Sequence, residues 1–156
     1  MMNKKKTFGS LVPGECIWTY DPNPDLAEDP FQKLLIENIR REDGWVVMFL
    51  SGQLDRYSKL PYLKFREREG HLSKKTSQLC RIFVNLSDLQ LYLREEKKSI
   101  LDNYYERLFF VEDLPEEVII SQAEWEDSIE QLSTEILNIE NRYDKYEEYV
   151  CRLTSR

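Results

Sequence analysis

Histidine occurs once in this chain of 156 residues, at His71. A lone imidazole offers one candidate general base, and no G-x-S-x-G elbow or other local nucleophile signature accompanies it. His71 stands in a polar, basic stretch and is expected to be an ordinary surface residue. Cysteine is scarce as well. Cys16, Cys80 and Cys151 are far apart, odd in number and form no C-x-x-C. They fit reduced thiols of a cytoplasmic protein better than a disulfide framework, and they lack zinc spacing. Cys80 follows His71 by nine residues, but catalytic Cys–His pairs are made by folds, so that proximity carries little weight. The five glycines are all isolated, which leaves no phosphate-cradling loop. Acid clusters such as "EDLPEE" lack the glycine and frame of a calcium loop. No apolar run approaches the ~20 residues that cross a bilayer. "MMNKKK" is followed by "TFGSLVPGEC" and not by an apolar stretch, so no signal peptide is expected. These absences lead to the expectation of a non-catalytic, cytoplasmic protein without cofactor, metal site or membrane span.

What is present bounds the fold. A chain of this size buries roughly 70% of its unfolded surface, enough for a core without staples. The apolar share of 41% and the aromatic share of 12% argue against intrinsic disorder. The formal charge of −7 does not suit a surface that clings everywhere to phosphate. Charge is unevenly spread, however. Arg56 to Arg81 carries eight Lys/Arg against two Glu, whereas Glu112 to Glu148 carries thirteen acids against Arg142 and Lys145. Such asymmetry suggests a nucleic-acid or partner surface, or two halves that neutralise each other in the fold.

Residues 1–10 read as a flexible arm, residues 11–86 as a small β domain and residues 87–156 as a helical region. Pro13-Gly14 makes a turn before the β-favouring Ile17, Trp18, Thr19 and Tyr20. Asp21–Pro30, with three prolines and four acids, is a loop. Phe31–Arg40 is a second strand, and Asp43-Gly44 is a strong hairpin signal into Trp45–Leu50. That third strand, "WVVMFL", is continuously apolar and is expected to be covered on both faces, by a barrel interior and by a helix. "PYLKFRER" alternates Tyr62, Lys64, Arg66 and Arg68 against Leu63, Phe65, Glu67 and Glu69, as an edge strand with a basic face would. "GHLSKKTSQ" reads as a loop, and Leu79–Val84 as another short strand.

The period then changes to that of helices. "SDLQ" places Ser87 as N-cap of a helix over about 88–110, with Leu89, Leu93, Ile100, Tyr104 and Leu108 on one face and Glu96 as its polar exception. "SQAE" places Ser121 as N-cap and Glu124 at N3 of a second helix over about 122–152. Its apolar positions are Trp125, Ile129, Leu132, Ile136, Ile139, Tyr143, Tyr146, Val150 and Leu153, spaced alternately four and three apart throughout. This is a coiled-coil seam. The expected fold class is therefore α+β: a small, mostly antiparallel barrel or curled sheet, followed by two long helices.

Gly14, Glu15, Ile17, Trp18, Phe83, Val84 and Ser87 carry a resemblance. Their order resembles the small SH3-like or Tudor-like barrels of uncharacterised bacterial and phage proteins, over about Leu11–Leu93. The resemblance implies a binding module. The long segment between Leu54 and Gln78 departs from that pattern and leaves the strand count and closure open.

Two surfaces are candidates. Arg56, Tyr57, Tyr62, Lys64, Arg66, Arg68, Lys74 and Lys75 interleave basic and aromatic side chains as nucleic-acid grooves do. Trp18, Tyr20, Trp45, Phe49 and Tyr57 could line an aromatic cage, although such residues more often form core. The second helix could dock another protein through Trp125, Ile129, Leu132, Ile136, Ile139, Tyr143, Tyr146 and Val150. It could pair with a second copy of the chain. It could also fold back on the first helix, whose Arg94, Lys97, Lys98 and Arg107 would meet its acids. The leading expectation is a protein-interaction module using the helices and the basic sheet edge. The alternatives are a phage-encoded, anti-CRISPR-like acidic inhibitor that mimics nucleic acid, and a nucleic-acid-binding accessory protein using residues 56–81.

Overall fold

The computed structural model of the chain describes residues 5–22, 29–54, 60–76 and 81–154. The fold is α+β: a six-stranded antiparallel sheet curled into a half-barrel, followed by two long helices. The strands are β1 (Cys16–Tyr20), β2 (Phe31–Glu42), β3 (Trp45–Leu50), β4 (Tyr62–Arg66), β5 (Lys74–Thr76) and β6 (Arg81–Phe83). The helices are α1 (Leu86–Glu112) and α2 (Gln122–Thr154). The sheet order is β4-β3-β2-β1-β6-β5. The chain forms two compact units, Met1–Gln90 with Tyr149–Arg156, and Leu91–Glu148. That division runs through both helices, not between the last strand and α1.

In the sheet unit, Asp43 (φ 52°) and Gly44 (φ 79°) both adopt the left-handed region that a tight two-residue hairpin needs. The first half of β2 pairs with β1 and the second with β3, and a register shift between Ile36 and Asn38 separates the halves. A bulge at that point bends the strand and increases its twist, which starts the curl. The curl brings the two sheet edges near each other: Lys75 Nζ on β5 lies 5.7 Å from the ring centre of Phe65 on β4. The inner face buries Ile17, Leu34, Ile36, Val46, Met48, Leu50, Leu63, Phe65 and Ile82. On the other face Tyr20 and Phe31 stack at 5.2 Å, and Phe83 is buried with them. Leu89, Val150 and Leu153, on the helix segments of the same unit, are buried too.

Four expectations require correction. First, the described part of the amino-terminal arm is structural. Phe8 is 1% exposed and belongs to the core, its ring 5.7 Å from that of Phe65. The Asn85 side chain clamps Lys6, donating to its carbonyl at 2.7 Å and accepting from its N–H at 3.0 Å. Flanking lysines had disguised a single plug residue whose burial only tertiary context decides. Second, the stretch read as the loop "GHLSKKTSQ" contains β5. It is a polar, three-residue strand, held by pairing with β6 and not by any apolar period. Third, β3 is not covered on both faces. Val46, Met48 and Leu50 are buried, whereas Trp45, Val47 and Phe49 are half-buried. Fourth, Ser87 is no cap. α1 begins at Leu86, and the Asn85 carbonyl accepts from the N–H groups of Asp88 (3.1 Å) and Leu89 (3.4 Å). Ser121, by contrast, does cap α2, its Oγ accepting from the Glu124 N–H at 3.3 Å.

In the helical unit α1 and α2 run antiparallel. Going down α1, Glu96, Tyr105 and Val111 meet α2 residues in reverse order. Tyr143 Oη donates to Glu96 at 2.6 Å, Tyr105 Oη to Glu140 at 3.4 Å, and the Trp125 indole N–H to the Val111 carbonyl at 2.8 Å. The last bond falls on a carbonyl of α1's final turn, which also accepts from the Leu114 N–H at 3.3 Å. Glu96, the polar exception on α1, is explained by its Tyr143 partner. Ile136, Ile139, Tyr143 and Tyr146 are buried, while Trp125, Ile129 and Leu132 are half-buried. Among the described residues the ion pairs expected of Arg94, Lys97, Lys98 and Arg107 with α2 are not seen. Among the described residues Lys98 pairs within α1 with Asp102 at 3.2 Å, and Arg107 lies over Tyr104 at 5.2 Å. No helix among the described residues is long and apolar enough to cross a membrane.

Candidate functional site

The described residues of the basic segment stand on two different edge strands and the turn after one of them. Arg56 and Tyr57 lie outside the described residues. Tyr62, Lys64 and Arg66 stand on β4, an edge strand, with Leu63 and Phe65 buried between them. The alternation ends at Arg66, because Glu67–Glu69 form a 3-10 turn that carries Arg68 off the strand face. Lys74 and Lys75 belong to β5 at the other edge, where Lys75 pairs with Glu69 at 3.7 Å. His71 is exposed, its Nδ1 2.7 Å from the Arg68 carbonyl, and Cys80 lies outside the described residues.

The outer face of β2-β3-β4 gathers residues that the sequence had scattered. Side chains opposite each other in an antiparallel pair share a face. Trp45 is opposite Arg66 and Phe49 opposite Tyr62, with Lys64 opposite Val47 between them. On the other flank Arg40 is opposite Val47. The guanidinium of Arg66 lies 3.8 Å from the centre of the Trp45 ring, Lys64 Nζ lies 4.6 Å from it, and Arg40 lies 5.6 Å from the Phe49 ring. Phe49 and Tyr62 tilt together at 6.1 Å. Glu42, opposite Trp45, is an acid on this face, and Glu37 is exposed on β2 at the register shift. Among the described residues none of the three cations is in an ion pair. "WVVMFL" is thus one core face and one aromatic–cationic face. Arg40, Trp45 and Phe49 were missed as one surface because their juxtaposition depends on pairing register. The Asp43-Gly44 turn was the available clue to that register. The supposed cage does not form among its described members: Tyr20 is buried on Phe31, and β2 separates Trp18 on β1 from Trp45 and Phe49 on β3.

The helical unit carries a different surface. An open groove of about 700 Å³ lies between α1 and α2, lined by Glu106, Arg107, Phe110, Val111, Leu132 and Glu135 among others. Phe110 is 71% exposed and Phe109 57%. Val118 and Ile120, on the connection between the helices, are 56% and 100% exposed. From Glu112 to Asn141 there are ten Asp/Glu and no Lys/Arg. Of the seam residues offered for docking, Ile136, Ile139, Tyr143, Tyr146 and Val150 are buried, and Leu132 alone lines the groove. Phe109 and Phe110 went unread because they fall off the α1 core face.

Among the described residues no group of three His, Cys, Asp or Glu is placed to hold a metal ion. Cys16 is half-buried and Cys151 exposed, both as free thiols. The chain matches no family model, and no relative among curated proteins and no neighbour among solved structures was found.

Proposed function

We propose that the chain is a non-catalytic protein-interaction module whose helical unit receives a basic, amphipathic helix of a partner protein. The observation that carries this reading is the groove whose apolar lining of Phe110, Val111 and Leu132 stands among Glu106, Glu135 and Arg107, with Phe110 largely exposed. Soluble monomers rarely leave large apolar side chains bare in clusters without a binding role. A helix laid in a groove buries such anchors along its own apolar face. Carboxylates that outnumber bases around the groove select a cationic partner and steer its approach. A purely electrostatic decoy of nucleic acid needs carboxylates alone, so the exposed phenylalanines and Ile120 favour a protein ligand over mimicry.

Hydrogen exchange on the full chain, with and without an excess of an 18-residue Leu/Lys amphipathic peptide, tests the placement. The expected result is slowed exchange in Asn103–Val111 and Ser128–Glu135. Protection confined to the sheet, or no protection at all, overturns the reading.

A further inference from the structure

We infer that the outer face of β2-β3-β4 is a binding platform for single-stranded nucleic acid. This inference stands apart from the helical groove. Its basis is the convergence of Trp45, Phe49 and Tyr62 with Arg40, Lys64 and Arg66 on one half-exposed strand face.

The cations are pre-positioned. Each is held on a ring or directly beside one, and none is neutralised by a carboxylate among the described residues. A cation in that state keeps its charge available to an incoming anion while its side chain is already ordered, which lowers the entropy lost on binding. Arg66 is laid over Trp45 at 3.8 Å. A planar guanidinium offers its outer face to a base just as an aromatic ring does. Trp45 and Phe49 are four positions apart on β3, about 14 Å at ~3.4 Å per residue. That length accommodates a short run of unstacked bases, with Lys64 and Arg66 beside it for phosphates. Unstacked bases and phosphates together describe single strands, which bind sheet faces by stacking and charge and not by groove insertion. An acidic peptide would use the three cations but leave the rings without partners. The charge distribution agrees. The sheet unit carries sixteen Lys/Arg against twelve Asp/Glu, a net of +4, whereas the helical unit carries six against seventeen, a net of −11.

The experiment is fluorescence anisotropy of fluorescein-labelled dT12 titrated with the full chain. Parallel titrations use a duplex of equal length and competition by poly-glutamate. The expected result is binding at low salt that weakens with a log–log slope of about −1.4 to −2.1, from two or three phosphates at ~0.7 each. Lys64→Gln with Arg66→Gln should weaken it at least tenfold, as should Trp45→Leu, while Trp45→Phe stays within about threefold. Circular dichroism checks that each variant folds. The inference is overturned by absent binding, by tighter binding of the duplex, by equal competition from poly-glutamate, or by Trp45→Leu binding as the parent does.

Discussion

Phe8 shows how much can rest on one side chain. It fills the half-barrel against Phe65 and is fully buried, although it stands in a segment with the composition of a loose arm. Phe8→Ala is expected to cost about 3–5 kcal/mol, measured by urea unfolding. A cost under about 0.5 kcal/mol would mean that the segment is dispensable. The same segment depends on a close backbone approach. A Cβ on Gly70 would lie 2.9 Å from Gly9 Cα, so Gly70→Ala should destabilise as overpacking does, by about 1–3 kcal/mol. A charge contact holds the segment as well. The Lys6 ammonium, bonded to Glu15, holds the Glu15 carboxyl below its ordinary value near 4.5, helped by the Val12 N–H at 3.0 Å. A depressed folded value means that this contribution is complete above the unfolded value and fades as pH falls through the lower, folded one. Glu15→Gln should therefore lower Tm slightly at pH 7, with the difference from the parent vanishing in strong acid. A Tm difference that grows on acidification would contradict that linkage. The Phe8–Phe65 and Gly9–Gly70 contacts were not legible in the sequence, because each joins residues distant in the chain by geometry that no local pattern encodes.

At the scale of elements the sequence was far more informative. The Asp43-Gly44 turn, the bounds of β3, the edge position of β4, the Ser121 cap and both helices follow from period and punctuation. β5 did not, since three polar residues carry no period. The folding back of the second helix on the first was among the sequence's expectations, but the chemistry of their links was not: charge counting pointed to Lys/Arg–Glu pairs, whereas the helices are linked by tyrosine hydroxyls and an indole N–H. The nine-position seam is uniform in sequence but graded in burial, tight at Ile136 and Ile139 and open towards Trp125. Ile136→Ala should accordingly cost about 2–5 kcal/mol. Ile129→Ala, half-buried, should cost clearly less in the same denaturation series. Equal costs would mean that the seam is evenly buried. Tyr143→Phe removes a hydrogen bond to a charged acceptor and should cost about 1.5–3 kcal/mol.

For the whole molecule, the charge asymmetry coincides with the division into a cationic sheet unit and an anionic helical unit. The sequence announced this asymmetry in its basic stretch, residues 56–81, and its acidic stretch, residues 112–148. On the two proposals above, each unit would take a ligand of opposite sign: nucleic acid at the sheet, a basic helix at the groove. Phe110 is the sharpest probe of the central claim, because its exposure separates binding from folding. Phe110→Ser should leave stability within ~0.5 kcal/mol, as for other surface changes. The deciding measurement is the affinity of the Leu/Lys amphipathic peptide for the parent and for Phe110→Ser, by calorimetry at low and at moderate salt. The account predicts saturable one-to-one binding that weakens with salt and falls at least tenfold in the variant. Binding of equal strength to both proteins, or no binding to the parent, would contradict it.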